Sequence, residues 1–312
     1  MAAEDTTSTA TLVREVFQRA VEIKFTTDQL LMMFPRRQAS GDTGVRWPVH
    51  RTGNTSFTTM TEGDAAPTAG QQGWVEALVP WTWFHGTVSV SGTAAAQIRG
   101  GSTAGFPDLL SKSLADGIKD LNDTINTTFL GTTASGTGIL DIIDSATTYA
   151  GLSRVTYTDW GSYEDTVSGA LTLAVMQNMA EGIRDNDRAG RLTLVASRTN
   201  QISNYQNLAG ASNTLANISR IVMTGPGVDF GAPRERTAFE GAPWIELYDI
   251  ANTVVLGLDT TPGNWEMVEV SGGVQVDPLG RTRFYDDLHV VWGGALVCYN
   301  PRKQGKATGV TA

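Results

Sequence analysis

The chain has 312 residues, 41% of them hydrophobic and only 18% charged, with 34 glycines and a formal net charge of −9. That length allows one large domain or two modest ones with real cores, and a charge content below the roughly one quarter of ordinary soluble domains points to surface buried against partners. The acidic balance excludes a dedicated nucleic-acid reader built on a basic patch, but it is compatible with an acidic wall that encloses nucleic acid without gripping it.

Residues Met1 to Ala10 are polar and acidic and lack the basic start and apolar centre of a signal peptide. Leu12, Val16, Ala20 and Ile23 then recur at helical spacing, and an apolar stretch from Phe25 to Phe34 ends at Pro35-Arg36-Arg37. Residues 1–39 read as an N-terminal arm. Between Ser40 and Gly92, alternation of Val45, Trp47 and Val49 with Arg46, Pro48 and His50 marks a strand. A small-residue tip at 63–73 leads into a return strand from Trp74 through Phe84 to Ser91. This predicts one long hairpin over 40–92, carrying Trp47, Trp74, Trp81 and Trp83, four of the chain's 8 tryptophans. Such aromatic weight suits either docking on another molecule or folding back on the parent domain.

Phe106 to Leu130 predicts a helix of about 37 Å, with Leu110, Leu114, Ile118, Leu121, Ile125 and Phe129 on one face. A second helix is expected from Ser162 to Ile183, started by a Ser162/Asp165 capping box and ended by Gly182. A strand over 191–197 and a short helical turn near Tyr205 follow. Residues 209–241, with Gly225-Pro226-Gly227 and Gly231-Ala232-Pro233, read as a long loop. Strands resume at 244–248 and 253–258, and the last, 287–299, precedes a small basic tail from Arg302. The longest apolar run, 288–299, is too short to span a bilayer, so a soluble, cytoplasmically made protein is expected.

Chemistry is sparse. His50, His85 and His289 have no Gly-x-Ser-x-Gly elbow beside them. Cys298, the only cysteine, lies in an apolar run and reads as buried. The glycines of 131–138 follow a helix and lack the Lys-Ser/Thr of a phosphate loop, so they read as a helix end. No metal-ligand spacing is present, and no catalytic residue, cofactor or metal is expected. Two carboxylates brought together in space, with tryptophans lining a sugar groove, keep a carbohydrate-active enzyme as the alternative from another class.

The order of elements is similar to that of the Hong Kong 97-like major capsid proteins of tailed double-stranded DNA phages, a fold that encapsulin shells share. The resemblance covers nearly the whole chain and rests on architecture, with no diagnostic short motif. It implies an α+β fold with an arm (1–39), an extended loop (40–92), a peripheral domain (93–195) with a spine helix (106–130), an axial domain (196–259), and a return with a C-terminal tail (260–312). It implies a shell subunit forming hexamers and pentamers around double-stranded DNA bound without sequence preference, with the shell of an encapsulin-type protein nanocompartment as the alternative within the fold. Portal and scaffolding proteins would be partners, with cement or decoration proteins on the shell, and no membrane would be involved. Intersubunit contact candidates are then Arg46, Trp47, Arg51, Glu62, Asp64, Trp81 and Trp83 on the loop, and Arg234 and Arg236 around the capsomer axis. Some shells of this type are crosslinked through a lysine on the extended loop, but this sequence has none between Lys24 and Lys112, so noncovalent stabilisation is expected. With little sequence before the arm, a separate scaffolding protein is also expected.

Overall fold

The computed structural model describes residues 30–39, 43–54, 56–59, 61–62, 65–66, 68–91, 105–133, 136–211, 238–270, 273–282 and 285–311. The helix expected over 11–24, and most of the 209–241 loop, lie outside these residues.

The first layer is a five-stranded sheet organised by one long strand, β14 (Tyr285–Cys298). Along one edge β14 pairs antiparallel with β12 (Trp265–Glu269) and β13 (Gln275–Thr282), and along the other with β4 (Thr82–Ser91). A three-residue strand, β1 (Arg36–Gln38), adds parallel to β12. The short helix α1 (Leu30–Met33) before it buries Leu30 and Leu31, and Phe34 stacks on Trp265 at 5.0 Å. The end of the arm is therefore anchored in the sheet, with Arg36 and Arg37 paired to Glu269 and Glu266 at 2.8 and 3.0 Å.

Helix α2 (Gly105–Leu130) lies across this sheet as its apolar stripe dictates. Leu121, Ile125 and Phe129 are buried, and Phe129 meets Phe84 and Trp292 edge-on at 5.7 and 6.0 Å. The helix approaches β4 at Gly117, where a Cβ would stand 2.4 Å from Val88 Cγ2.

The second layer is a six-stranded sheet in the order β7 (Tyr163–Ala170), β15 (Gly305–Thr311), β11 (Val255–Leu258), β8 (Leu194–Ser197), β10 (Ala242–Glu246), β9 (Ala238–Phe239). Its central strands β8 and β11 are buried at every position, as strands covered on both faces must be. One face (Leu194, Ala196, Leu256, Leu258) joins the core shared with the first layer. The other (Val195, Val255, Ala307, Val310) packs under helix α4 (Leu173–Asn186) and Tyr205 of helix α5 (Thr199–Ala211).

Five expectations need correction. The hairpin stops at Pro80: β2 (Gly44–Thr52) pairs with β3 (Gly73–Pro80), whereas β4 leaves to join β14, so Trp81 and Trp83 are not on the projecting arm. The second helix begins at Leu173, capped by the Thr172 side chain, which accepts from the Val175 N–H. Residues 163–170, including the supposed Ser162/Asp165 box, form β7, where exposed Thr166, Ser168 and Ala170 alternate with half-covered Val167 and Gly169. Gly182 lies inside α4, not at its end, because the Tyr163 ring packs where a Cβ would be. Finally, the turn near Tyr205 is a helix of 13 residues, and most of the basic tail is a strand inside the second sheet, between β7 and β11.

Candidate subunit interface

The tail strand brings Lys306 into a nearly closed site. Its ammonium sits 2.9 Å from Asp144 and 3.2 Å from Glu164, and donates to the Leu140 carbonyl at 3.1 Å. Burial acts to raise the Asp144 carboxyl, but N–H donation from Ala146 and Thr147 and the Lys306 charge outweigh it and hold the group well below the usual carboxylate range. Beside it Arg154, 1% exposed, donates to the carbonyls of Asp141, Ile142 and Trp160 and to Thr147. Burial lowers its proton affinity, yet a guanidinium starts so high that it stays charged. These groups fix the segment that runs from the short helix α3 (Ile139–Ile142) to Trp160, the platform on which the hairpin stands.

The hairpin is attached to that platform at its base. Val45, Ala77 and Val79 are buried in the main core, and the Leu78 N–H donates to the Ala150 carbonyl at 2.9 Å. Ala150 and Gly151 hold positive φ in the tight turn between β5 (Thr148–Tyr149) and β6 (Leu152–Ser153), as a two-residue hairpin loop demands. Trp47 is half-buried, edge-on to Tyr299 at 5.2 Å and tilted to Tyr149 at 6.5 Å. Beyond the base, exposure rises. Trp74 is 59% exposed and packs on His50, and Phe57 near the tip is 86% exposed.

Of the contact candidates, Arg46 pairs within the hairpin with Glu76 at 3.1 Å. Arg51 reaches the platform, where it pairs with Asp159 at 3.3 Å and lies 4.4 Å over the Tyr157 ring. Glu62 is exposed on the tip. Trp81 is half-buried against the main core, and exposed Trp83 lies over Gly293 on the outer face of the first sheet. Asp64, Arg234 and Arg236 lie outside the described residues. The structure therefore brings Trp47 and Arg51 together at the hairpin base and leaves Trp83 apart. Sequence reasoning missed Lys306 and Arg154, whose partners are distant in the chain.

Cys298 is fully buried, and burial pushes its thiol up, away from the reactive thiolate. His85 and His289 face each other across strands at 5.8 Å, and no group of three or more metal-ligating side chains is found among the described residues. The cleft of about 270 Å³ between hairpin and platform is lined by a single carboxylate, Asp159, already paired with Arg51.

The fold is similar to the capsid asymmetric unit of cyanophage A-1(L), with a TM-score of 0.66 and 16% identity over 94% of this chain and 96% of that one. It is also similar to the capsid of Myoviridae phage XM1 (TM-score 0.61, 12% identity, 96% and 98% covered). The SrpI encapsulin of Synechococcus elongatus PCC 7942 matches at 0.60, with 12% identity and 99% and 96% covered. At such identities these likenesses establish the Hong Kong 97-like fold. A search of curated protein sequences found no match. A family model for the SU10 major capsid protein matches residues 3–231, the greater part of the sequence, and the chain belongs to that family, as a structural subunit of an icosahedral phage head.

Proposed function

We propose that this subunit assembles into hexamers and pentamers that close around packaged double-stranded DNA, with the hairpin of 44–80 lying across an adjacent copy. The observation that carries this reading is an arm whose base is built into its own core while Phe57, near its tip, stays 86% exposed. A phenylalanine held in water on a projecting hairpin gains apolar burial only from another molecule. In this reading the six-stranded unit, with 196–259 at its centre, is the axial domain around the capsomer axis, where Arg234 and Arg236 meet neighbouring copies. The first sheet and α2 form the peripheral domain. Glu62, Asp64 and the tip residues make the intersubunit contacts, and Trp83 offers a second apolar contact. Scaffolding and portal proteins act in assembly in the host cytoplasm, decoration proteins bind the finished shell, and the role is structural, without catalysis.

The test is electron microscopy and sedimentation of the purified chain, alone and with a candidate scaffold, beside a variant in which residues 54–71 are replaced by an Asn-Gly turn. The wild type is expected to give shells, tubes or rings, and the variant to stay folded and unassembled. A wild type that remains monomeric under all conditions overturns the reading, and a variant that assembles normally removes the hairpin from it.

A further inference from the structure

The pairing of β2 with β3 shifts register between His50 and Thr52, so Arg51 falls at the irregularity. A bulge leaves one residue out of the ladder and re-aims its side chain. Here it sends the Arg51 guanidinium off the hairpin and onto the platform, against Asp159 and over Tyr157. Below this clasp the hairpin does not lie flat. A cleft of about 270 Å³ separates Trp47, Val49 and Val75 on one side from Leu152 and Trp160 on the other, so side-chain packing between hairpin and platform is incomplete there. Above the clasp, 20 residues from 53 to 72 separate β2 from β3, which begins at Gly73. Ten residues, if fully extended, reach at most about 36 Å, so a tilt of about 10° at Arg51 moves the tip by up to about 6 Å.

We infer that Arg51 is a positioning residue: with Asp159 and Tyr157 it sets the angle at which the hairpin leaves the body, and so where the tip meets the next copy. The inference rests on the proposed role of the hairpin in assembly, but the angle exists in the single subunit and can be read there. Asp159 and Arg51 are both well exposed, so the clasp contributes little to folding stability. Its effect is on aim.

The test attaches spin labels at Thr58→Cys and Arg188→Cys, both exposed sites, since buried Cys298 does not compete for the reagent. Distances are read on unassembled protein. The otherwise wild-type chain is expected to give one narrow distribution, and Arg51→Ala and Asp159→Ala a broadened or shifted one. Both variants should keep Tm within about 3 °C of wild type. Their threshold concentration for assembly should rise by about tenfold or more. Arg51→Lys, which keeps a cation over Tyr157 and beside Asp159, should recover most of the narrow distribution. Unchanged distances in both alanine variants overturn the inference, as does a changed angle with an unchanged assembly threshold. If the wild type never assembles, the assembly reading fails while the distances still decide whether the clasp sets the angle.

Discussion

Lys306 and Asp144 show how much a single residue can hide from sequence inspection. A lysine in a small basic tail reads as solvated, yet Lys306 is 5% exposed and joins the last strand to two acids more than 140 positions earlier. Nothing local announces this, because the pairing exists only once β15 has inserted beside β7. The consequence is a defined acid response. Asp144 has its pKa lowered in the fold, so its contribution is fully present above the unfolded value of about 3.9 and is lost as pH falls toward the native value. Asp144→Asn should therefore cost about 1–2 kcal/mol at pH 7, the worth of hydrogen bonds to a charged group discounted for partial solvent access. The gap to wild type should begin to close below about pH 4. Urea unfolding of both proteins across pH 2 to 7 checks this, and a gap that stays constant through the acid range contradicts the assignment.

At the scale of elements, what the sequence made legible is what local periodicity controls. The long helix is found within one residue of its expected start because six apolar residues recur on one face over 20 positions. The errors fall where two patterns share residues. Strand-forming residues continue on both sides of Pro80 from Trp74 to Ser91, so the composition reads as one return strand although the chain passes from hairpin to sheet there. Likewise Val167 and Leu171 are four apart and look helical, but Val167 belongs to a strand and Thr172 supplies the cap. Glycines were equally ambiguous. In β14 the consecutive Gly293 and Gly294 weaken a strand on propensity, yet the Trp83 ring covers the first and the Trp292 ring the second. A Cβ at 294 would stand 2.4 Å from that ring and 2.7 Å from the Val268 carbonyl oxygen, which is backbone and cannot swing away. Gly294→Val should then destabilise by about 1–3 kcal/mol despite the better strand propensity of valine, as thermal or urea denaturation would register. A neutral or stabilising result would show that β12 can move away from β14.

For the whole molecule, the low charge content and the missing lysine bear on how a shell of these subunits stays closed. Covalent reinforcement needs a nucleophile within reach of a neighbour, and the extended hairpin segment, from Ser40 to Gly92, contains no lysine. The one thiol is buried in β14 and kept protonated by its surroundings, so an intersubunit disulfide would require the core to open. Cohesion is then expected from apolar burial, for which exposed Phe57, Trp74 and Trp83 are among the available side chains, and from charge pairs at the rims of contacts. Apolar burial is little affected by salt, whereas exposed ion pairs weaken as salt screens them. Assembled particles should therefore survive molar salt, resist reducing agents without change, and dissolve in hot detergent to a single band at the mass of one chain. Denaturing electrophoresis of purified shells, with and without reductant, reads this directly. A ladder of dimers and higher multimers that persists under reduction would mean that a lysine elsewhere reaches a neighbour, and attention would move to Lys112 and Lys119 on the outward face of α2.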